Sequence, residues 1–269
     1  MAQQIIGFIG AGNMATSLVG GIISKGIRPA RIWMSYGSQE RLDQLSRQHN
    51  VHVSTENDEI ARRVDVLVLA VKPQVMQAVC AGLRAALGDR QPLIISIAAG
   101  VTVNNLKSWL GDLPVVRCMP NTPALVQAGA TGLYADPTVS AEQKELAGQI
   151  LASVGLTFWF DEESALDAVT AVSGSGPAYF FLMMESMIEA GRKLGLDDHT
   201  ARQLVLQTAW GAAQLAITSE SGPDVLRQQV TSPGGTTAAA LDVFENGGFR
   251  VLVDSALAAA RRRSEELAG

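Results

Sequence analysis

Short apolar runs alternate with amphipathic segments through the first half of the chain, and helical periodicity alone continues through the second. The first pattern predicts strands at residues 4–9, 31–35, 51–54, 66–70, 93–97 and 115–119, with helices between them. Val66-Leu67-Val68-Leu69-Ala70 is apolar throughout instead of alternating, as a central parallel strand covered on both faces requires. A hairpin-like strand at 131–134, a helix at 140–153 and a strand at 156–160 complete this half. Beyond Asp161 the strand pattern stops, and helices are expected at 163–172, 177–194, 199–218, 223–230, 236–246 and 249–267. Pro177 and Pro223 stand where helices begin, and Gly191, Gly195 and Gly247 where they end.

Composition narrows the class. At 269 residues the chain is long enough for two domains. It is 47% hydrophobic and 17% charged, with no apolar run near the ~20 residues that span a bilayer. A core strand expected within a few residues of Met1 leaves no room for a secretory leader, so a cytoplasmic protein without a membrane anchor is expected. Cys80 and Cys118 are too few for a disulfide framework or a thiolate metal site and are expected as buried free thiols. His49, His52 and His199 form no ligand-spaced cluster and are expected on the surface or in loops, so no metal is expected. The net charge is −5, and the run Arg261-Arg262-Arg263 is followed at once by Glu265 and Glu266, a solvated helix end and not a nucleic-acid face.

Chemistry first shows at Gly10-Ala11-Gly12-Asn13-Met14-Ala15, directly after the first strand and opening a helix. Gly10 permits a tight turn, Gly12 lets backbone approach a pyrophosphate, and the free N–H groups of the helix start attract phosphate charge. Strand, loop and helix in this order predict a dinucleotide site on a Rossmann-type domain, residues 1–160. An NAD site usually carries an acidic residue at the end of the second strand; here stands Ser35, with Ser38 and Arg41 nearby, which favours the 2′-phosphate of NADP(H), with NAD(H) as the alternative. Glu40 could serve a ribose only if that strand ran further. Ala70-Val71-Lys72-Pro73 and Ala98-Ala99-Gly100 lie at carboxyl ends of strands, where open α/β sheets bind ligands. Lys72 fits either a catalytic base or a contact to phosphate or ribose.

In residues 161–269 the helices are rich in Ala and Leu, with more apolar surface than they can hide among themselves, so an all-α dimerisation domain is expected. Val230-Thr231-Ser232-Pro233-Gly234-Gly235-Thr236-Thr237 leads straight into a helix. Two glycines, a helix start and hydroxyls can hold a carboxylate without any lysine or arginine. An ordinary helix start capped by Ser or Thr has the same letters.

These segments, with Arg117-Cys118-Met119-Pro120-Asn121-Thr122-Pro123 and Ser173-Gly174-Ser175-Gly176-Pro177, resemble pyrroline-5-carboxylate reductase over essentially the whole chain. The resemblance implies hydride transfer from NAD(P)H to 1-pyrroline-5-carboxylate, giving L-proline, in a homo-oligomer joined through the helical domain. It implies cofactor contacts from Gly10, Ala11, Gly12, Asn13, Met14, Ser35, Asn57, Ala70, Val71, Lys72, Pro73, Ala98, Ala99, Gly100 and Asn121. The substrate carboxylate would lie on Ser232, Gly234, Gly235, Thr236 and Thr237, with Ser175 near the substrate and Glu220 near the ring nitrogen. Thr237 is a candidate proton donor beside Glu220. Three other readings fit the letters less well. A β-hydroxyacid dehydrogenase lacks its lysine here, since the first one after Pro177 is Lys193. A ketol-acid reductoisomerase magnesium site would rest on Glu185 and Glu189 alone, and a nucleotide sensor without turnover would leave the 232–237 loop unexplained.

Overall fold

A computed structural model describes residues 3–268; the start of the chain, on which the leader expectation rests, lies outside the described residues. In chain order the elements are β1 (Ile6–Ile9), α1 (Asn13–Ser24), β2 (Ile32–Ser35), α2 (Gln39–His49), β3 (His52–Ser54), α3 (Asn57–Ala61), β4 (Val66–Leu69) and α4 (Pro73–Leu87). There follow β5 (Leu93–Ser96), α5 (Val103–Leu110), β6 (Val115–Met119), β7 (Gly129–Ala135), α6 (Ala141–Leu151), β8 (Gly155–Phe160) and α7 (Ala165–Val169). The last are α8 (Gly176–Lys193), α9 (Asp198–Thr218), α10 (Pro223–Gln229), α11 (Thr236–Asn246) and α12 (Phe249–Ala268). The chain divides into two compact units, one reaching to Ser175 and taking in the chain from Ala260, the other Gly176–Ala259. That division lies later than the boundary at residue 160 expected from the sequence, and α12 contributes to both units.

In the first unit eight strands form one sheet in the order β3-β2-β1-β4-β5-β6-β7-β8. Pairing is parallel except that β7 runs antiparallel to β6. Strand order reverses at β1, which pairs with both β2 and β4, and the register sets Ile9 level with Ser35 and with Leu69. Three strand ends therefore finish together at the position where open α/β sheets hold ligands. Alternate residues go to opposite layers. Phe8, Val68, Ile95 and Cys118 pack with Leu18 and Ile22 of α1 and Ile150 of α6. Ile9, Leu67, Leu69 and Ile94 pack with Ile60, Met76, Leu83 and Leu106. Gly7 allows α3 to press on β1: a Cβ there would lie 2.5 Å from Ile60 Cγ2. Burial pushes the Cys80 thiol up to about 12 and that of Cys118 further still, so both are inert free thiols.

Polar groups close the far end of the sheet. Buried Asp136, at the end of β7, accepts N–H bonds from Val115 at 2.9 Å and Thr138 at 2.8 Å and pairs with Lys107 at 3.0 Å. These donors more than offset its desolvation and hold its carboxyl below the usual range, while the same contact raises Lys107. Buried Arg117 of β6 meets Glu163 at 2.8 Å, and Glu163 also accepts the N–H of Val103 at 2.9 Å.

The helix expected at 163–172 is shorter. It stops at Val169 and continues as a π-helical turn, Thr170–Gly174, closed by the Ser175 N–H on Thr170 O at 2.8 Å. Thr170 and Ser173 donate their hydroxyls back to the carbonyls of Leu166 and Val169, which loosens the α-helical ladder at that point. One glycine assignment changes: Gly191 lies inside α8, whereas Gly195 (φ 98°) ends α8 and Gly247 is the C-cap of α11 as expected, with Gly248 (φ 76°) left-handed after it.

The second unit is all helix. Ala201 and Val205 are its buried apolar residues, while Phe180, Phe181, Leu182, Trp210, Ile217, Val251 and Leu252 are exposed. Glu245 at the end of α11 joins Arg227 of α10 at 3.2 Å and Arg250 of α12 at 2.7 Å. Of the histidines, His52 lies in β3, stacked on Trp33, His199 is exposed on α9, and His49 is half-buried at the end of α2. The basic run on α12 pairs Arg261 with Glu265 and Arg263 with Glu266. No cluster able to hold a metal ion occurs among the described residues, and no described helix is long and apolar enough to cross a membrane.

Candidate active site

In the first unit, Gly10, Ala11, Gly12, Ser35, Asn57, Ala70, Val71 and Lys72 line one cavity of about 350 Å³ at the ends of β1, β2 and β4. Gly10 has φ 100° and its N–H bonds Ser35 O at 3.1 Å; a Cβ on it would stand 2.8 Å from the carbonyl carbon and oxygen of Ala70. The turn therefore accepts glycine alone. Gly12 is the N-cap of α1 in extended conformation, with no side chain capping the helix and nothing within 4 Å of where its Cβ would be. The helix start is thus open toward the cavity side of the loop, and buried Ala15 packs the helix below it. Such an arrangement fits a dinucleotide pyrophosphate.

The remaining expected cofactor residues are not among those lining this cavity and take several places. Asn13 and Met14 form the first turn of α1, and Pro73 opens α4 behind Lys72, its exposed N-cap. β2 ends at Ser35, so Glu40 lies within α2 and the alternative ribose contact loses its basis. The Ser35 hydroxyl donates to Phe8 O at 3.4 Å. Ser38 caps α2, accepting the Arg41 N–H at 3.4 Å, and the Arg41 guanidinium donates to Thr16 Oγ1 on α1 at 3.4 Å. A cation thus stands beside the α1 start, which suits a 2′-phosphate. Ala98, Ala99 and Gly100 (φ 71°) form the turn after β5. Asn121 is buried with both ends of its amide engaged, donating to Ser173 O at 3.1 Å and accepting the Ala130 N–H at 2.9 Å. It ties β7 to the π turn that carries Ser175.

Tyr36, Gly37 and Val75 also line the cavity and do not stand among the residues expected from the sequence. Val75 could have been noticed. The buried stripe of α4 runs Met76, Cys80, Leu83 and Leu87, and Val75 is an apolar residue beside it, 48% exposed.

In the second unit no Ser or Thr of the loop 230–237 caps the helix that follows it. Gly235 donates its N–H to Ser232 O at 3.0 Å around Pro233 and Gly234 (φ 70°), a type II turn. Gly235, not Ser or Thr, is the N-cap of α11, and no side chain caps that helix. Ser232, Gly234 and Thr236 are exposed, and Thr237 is half-buried. The amide donors at the start of α11 stand free of side-chain capping, with the hydroxyl residues Ser232, Thr236 and Thr237 in the same loop. Glu220 is exposed in the bend between α9 and α10.

Two family models match the chain. Residues 163–267 match the family model for pyrroline-5-carboxylate reductase dimerisation, and residues 5–100 match that for NADP oxidoreductase, coenzyme F420-dependent. A pyrroline-5-carboxylate reductase of Pseudomonas aeruginosa is 54% identical over 269 residues, covering 100% of this chain and 98% of that protein. The structure of a pyrroline-5-carboxylate reductase from Coxiella burnetii superposes with a TM-score of 0.93 at 46% identity, covering 99% of each chain. That of Plasmodium falciparum pyrroline carboxylate reductase with NADP bound gives 0.88 at 31% identity, covering 100% of each chain. With a full-length relative more than half identical and a dimerisation model matched across the helices, the chain belongs to the pyrroline-5-carboxylate reductase family.

Proposed function

We propose that this reductase divides its work between two glycine-capped helix starts, that of α1 for the cofactor and that of α11 for the substrate. The reaction is reduction of the C=N bond of 1-pyrroline-5-carboxylate to L-proline with NADPH, NADH being the alternative donor. When bound, the nicotinamide cofactor supplies the hydride. Gly10, Ala11, Gly12, Asn13 and Met14 hold the pyrophosphate; Ser35 and Asn57 face the adenosine end, with Arg41 hydrogen-bonded to Thr16 on α1; Ala70, Val71, Lys72, Pro73, Ala98, Ala99, Gly100 and Asn121 complete the wall. Lys72, exposed at the N-cap of α4, contacts phosphate or ribose in this scheme and is not a base.

Ser232, Gly234, Gly235, Thr236 and Thr237 hold the substrate carboxylate by N–H and hydroxyl donation, which fixes the ring at one end. Ser175 limits the substrate from the end of the π turn. Thr237 Oγ1 holds a proton for the ring nitrogen, and the negative charge of Glu220 favours the protonated imine. The enzyme works as a homo-oligomer, because the helices of the second unit expose the apolar residues that a dimerisation domain covers. Two buried free thiols suit a reducing, cytoplasmic setting.

The observation that carries this reading is the glycine N-cap of α11, which leaves the first amides of that helix without a side-chain cap. NADPH oxidation with pyrroline-5-carboxylate tests it. Turnover is expected with both cofactors and a higher kcat/KM for NADPH. Equal values for both would remove the case for a 2′-phosphate site. Thr237→Ala is expected to lower kcat by about tenfold or more; a kcat within twofold of the parent across pH would leave Thr237 a binding role only.

A further inference from the structure

α12 has one fully buried residue, and it is polar: Ser264. Its hydroxyl donates to Asp167 Oδ1 at 2.7 Å, and both side chains are out of solvent, at 4% and 7% exposure. One turn on, the same helix meets Gly100. A Cβ on Gly100 would lie 2.9 Å from Leu267 Cβ and 2.9 Å from Leu267 O, so the helix end rests directly on the backbone of the turn after β5. Leu267 itself is 54% exposed, so apolar burial does not hold the helix there. The Ser264–Asp167 bond anchors it, since a buried carboxylate without its donor is costly and the bond fixes the helix in rotation and height. Gly100 in turn is left-handed at φ 71°, a conformation that depends on what packs against it.

We propose that Ser264 is a positioning residue for cofactor binding: through Asp167 it seats the last turn of α12 against Gly100 and so fixes the 98–100 turn. This rests on the assignment of Ala98, Ala99 and Gly100 to the cofactor wall. Ser264 touches neither ligand, and its effect is on the shape of the turn that does.

The test is NADPH affinity of full-length variants, read by the fluorescence of bound nicotinamide, with KM and kcat measured alongside. Ser264→Ala is expected to raise Kd and KM for NADPH about threefold or more, with kcat and the KM for pyrroline-5-carboxylate within twofold of the parent. Asp167→Asn keeps an acceptor for the hydroxyl and is expected to retain parental affinity. Gly100→Ala separates the two layers of the inference. If Ser264→Ala leaves Kd unchanged while Gly100→Ala raises it, the brace is wrong and the cofactor assignment stands; if neither moves Kd, both fall. An equal loss in kcat and in both KM values, or the same loss in Asp167→Asn, would likewise overturn the positioning role.

Discussion

β1, β4 and β5 carry no exposed residue, whereas α10 and α11 bury none completely. The first unit has two layers of side chains over a sheet and finishes its own core. The second presents Phe180, Ile217 and Val251 at 69%, 81% and 71% exposure, apolar area that a single chain leaves in water. At about 25 cal/mol per Å² of apolar surface, a second copy is the partner that makes such a unit stable. The first unit thus completes its core within one chain, whereas the second leaves apolar residues for a second copy to cover. Both units nevertheless share one local feature, a helix whose N-cap is glycine and whose first amides have no side-chain cap.

That contrast can be broken at the two glycines of the first loop. Gly10→Ala forces a Cβ into Ala70 at a left-handed φ and is expected to cost about 3 kcal/mol or more, with loss of NADPH binding. Gly12→Ala meets open space and should melt with the parent while raising the NADPH Kd about tenfold, because the methyl occupies the approach to the helix start. A parental Kd for Gly12→Ala would place the pyrophosphate elsewhere. On the other unit, Leu252→Glu puts a charge on an exposed apolar position of α12. Sedimentation should show dissociation toward monomers; an unchanged oligomer would remove Leu252 from the interface.

Electrostatics separate the units less strongly. Asp136 is buried, whereas the Glu245 pairs of the second unit are exposed and contribute little. Asp136→Asn is expected to cost on the order of 2 kcal/mol near neutral pH. The folded carboxyl titrates below its unfolded value, so its contribution is full above about pH 4 and fades as pH falls through the depressed folded value. Melting curves of the variant should therefore converge on the parent in acid. Equal gaps at pH 7 and pH 3 would assign the cost to packing instead.

The strands were legible because apolar runs such as Val66-Leu67-Val68-Leu69 admit few other readings, and the α1 loop because its glycines follow a strand. The π turn was not, since Thr170 and Ser173 bend the helix by bonding their own backbone, a choice that Leu166-to-Gly174 letters share with an ordinary helix. Ser232 read equally well as a cap. Only the turn at Pro233-Gly234 shows that Gly235 takes that place. The contact of Leu267 with Gly100 joins segments too far apart in sequence for any local pattern to announce.

The start of α11 can be tested by removing one amide. Proline is tolerated at the first helical position, and Gly235 already has the extended conformation that precedes it, so Thr236→Pro deletes an N–H while leaving the helix intact. Thr236→Ala controls for the hydroxyl. The measurement is kcat/KM for pyrroline-5-carboxylate relative to 1-pyrroline, the same ring without its carboxylate. If α11 holds the carboxylate, Thr236→Pro lowers that ratio about tenfold or more beyond Thr236→Ala. A ratio equal to that of Thr236→Ala would show that the carboxylate is bound elsewhere.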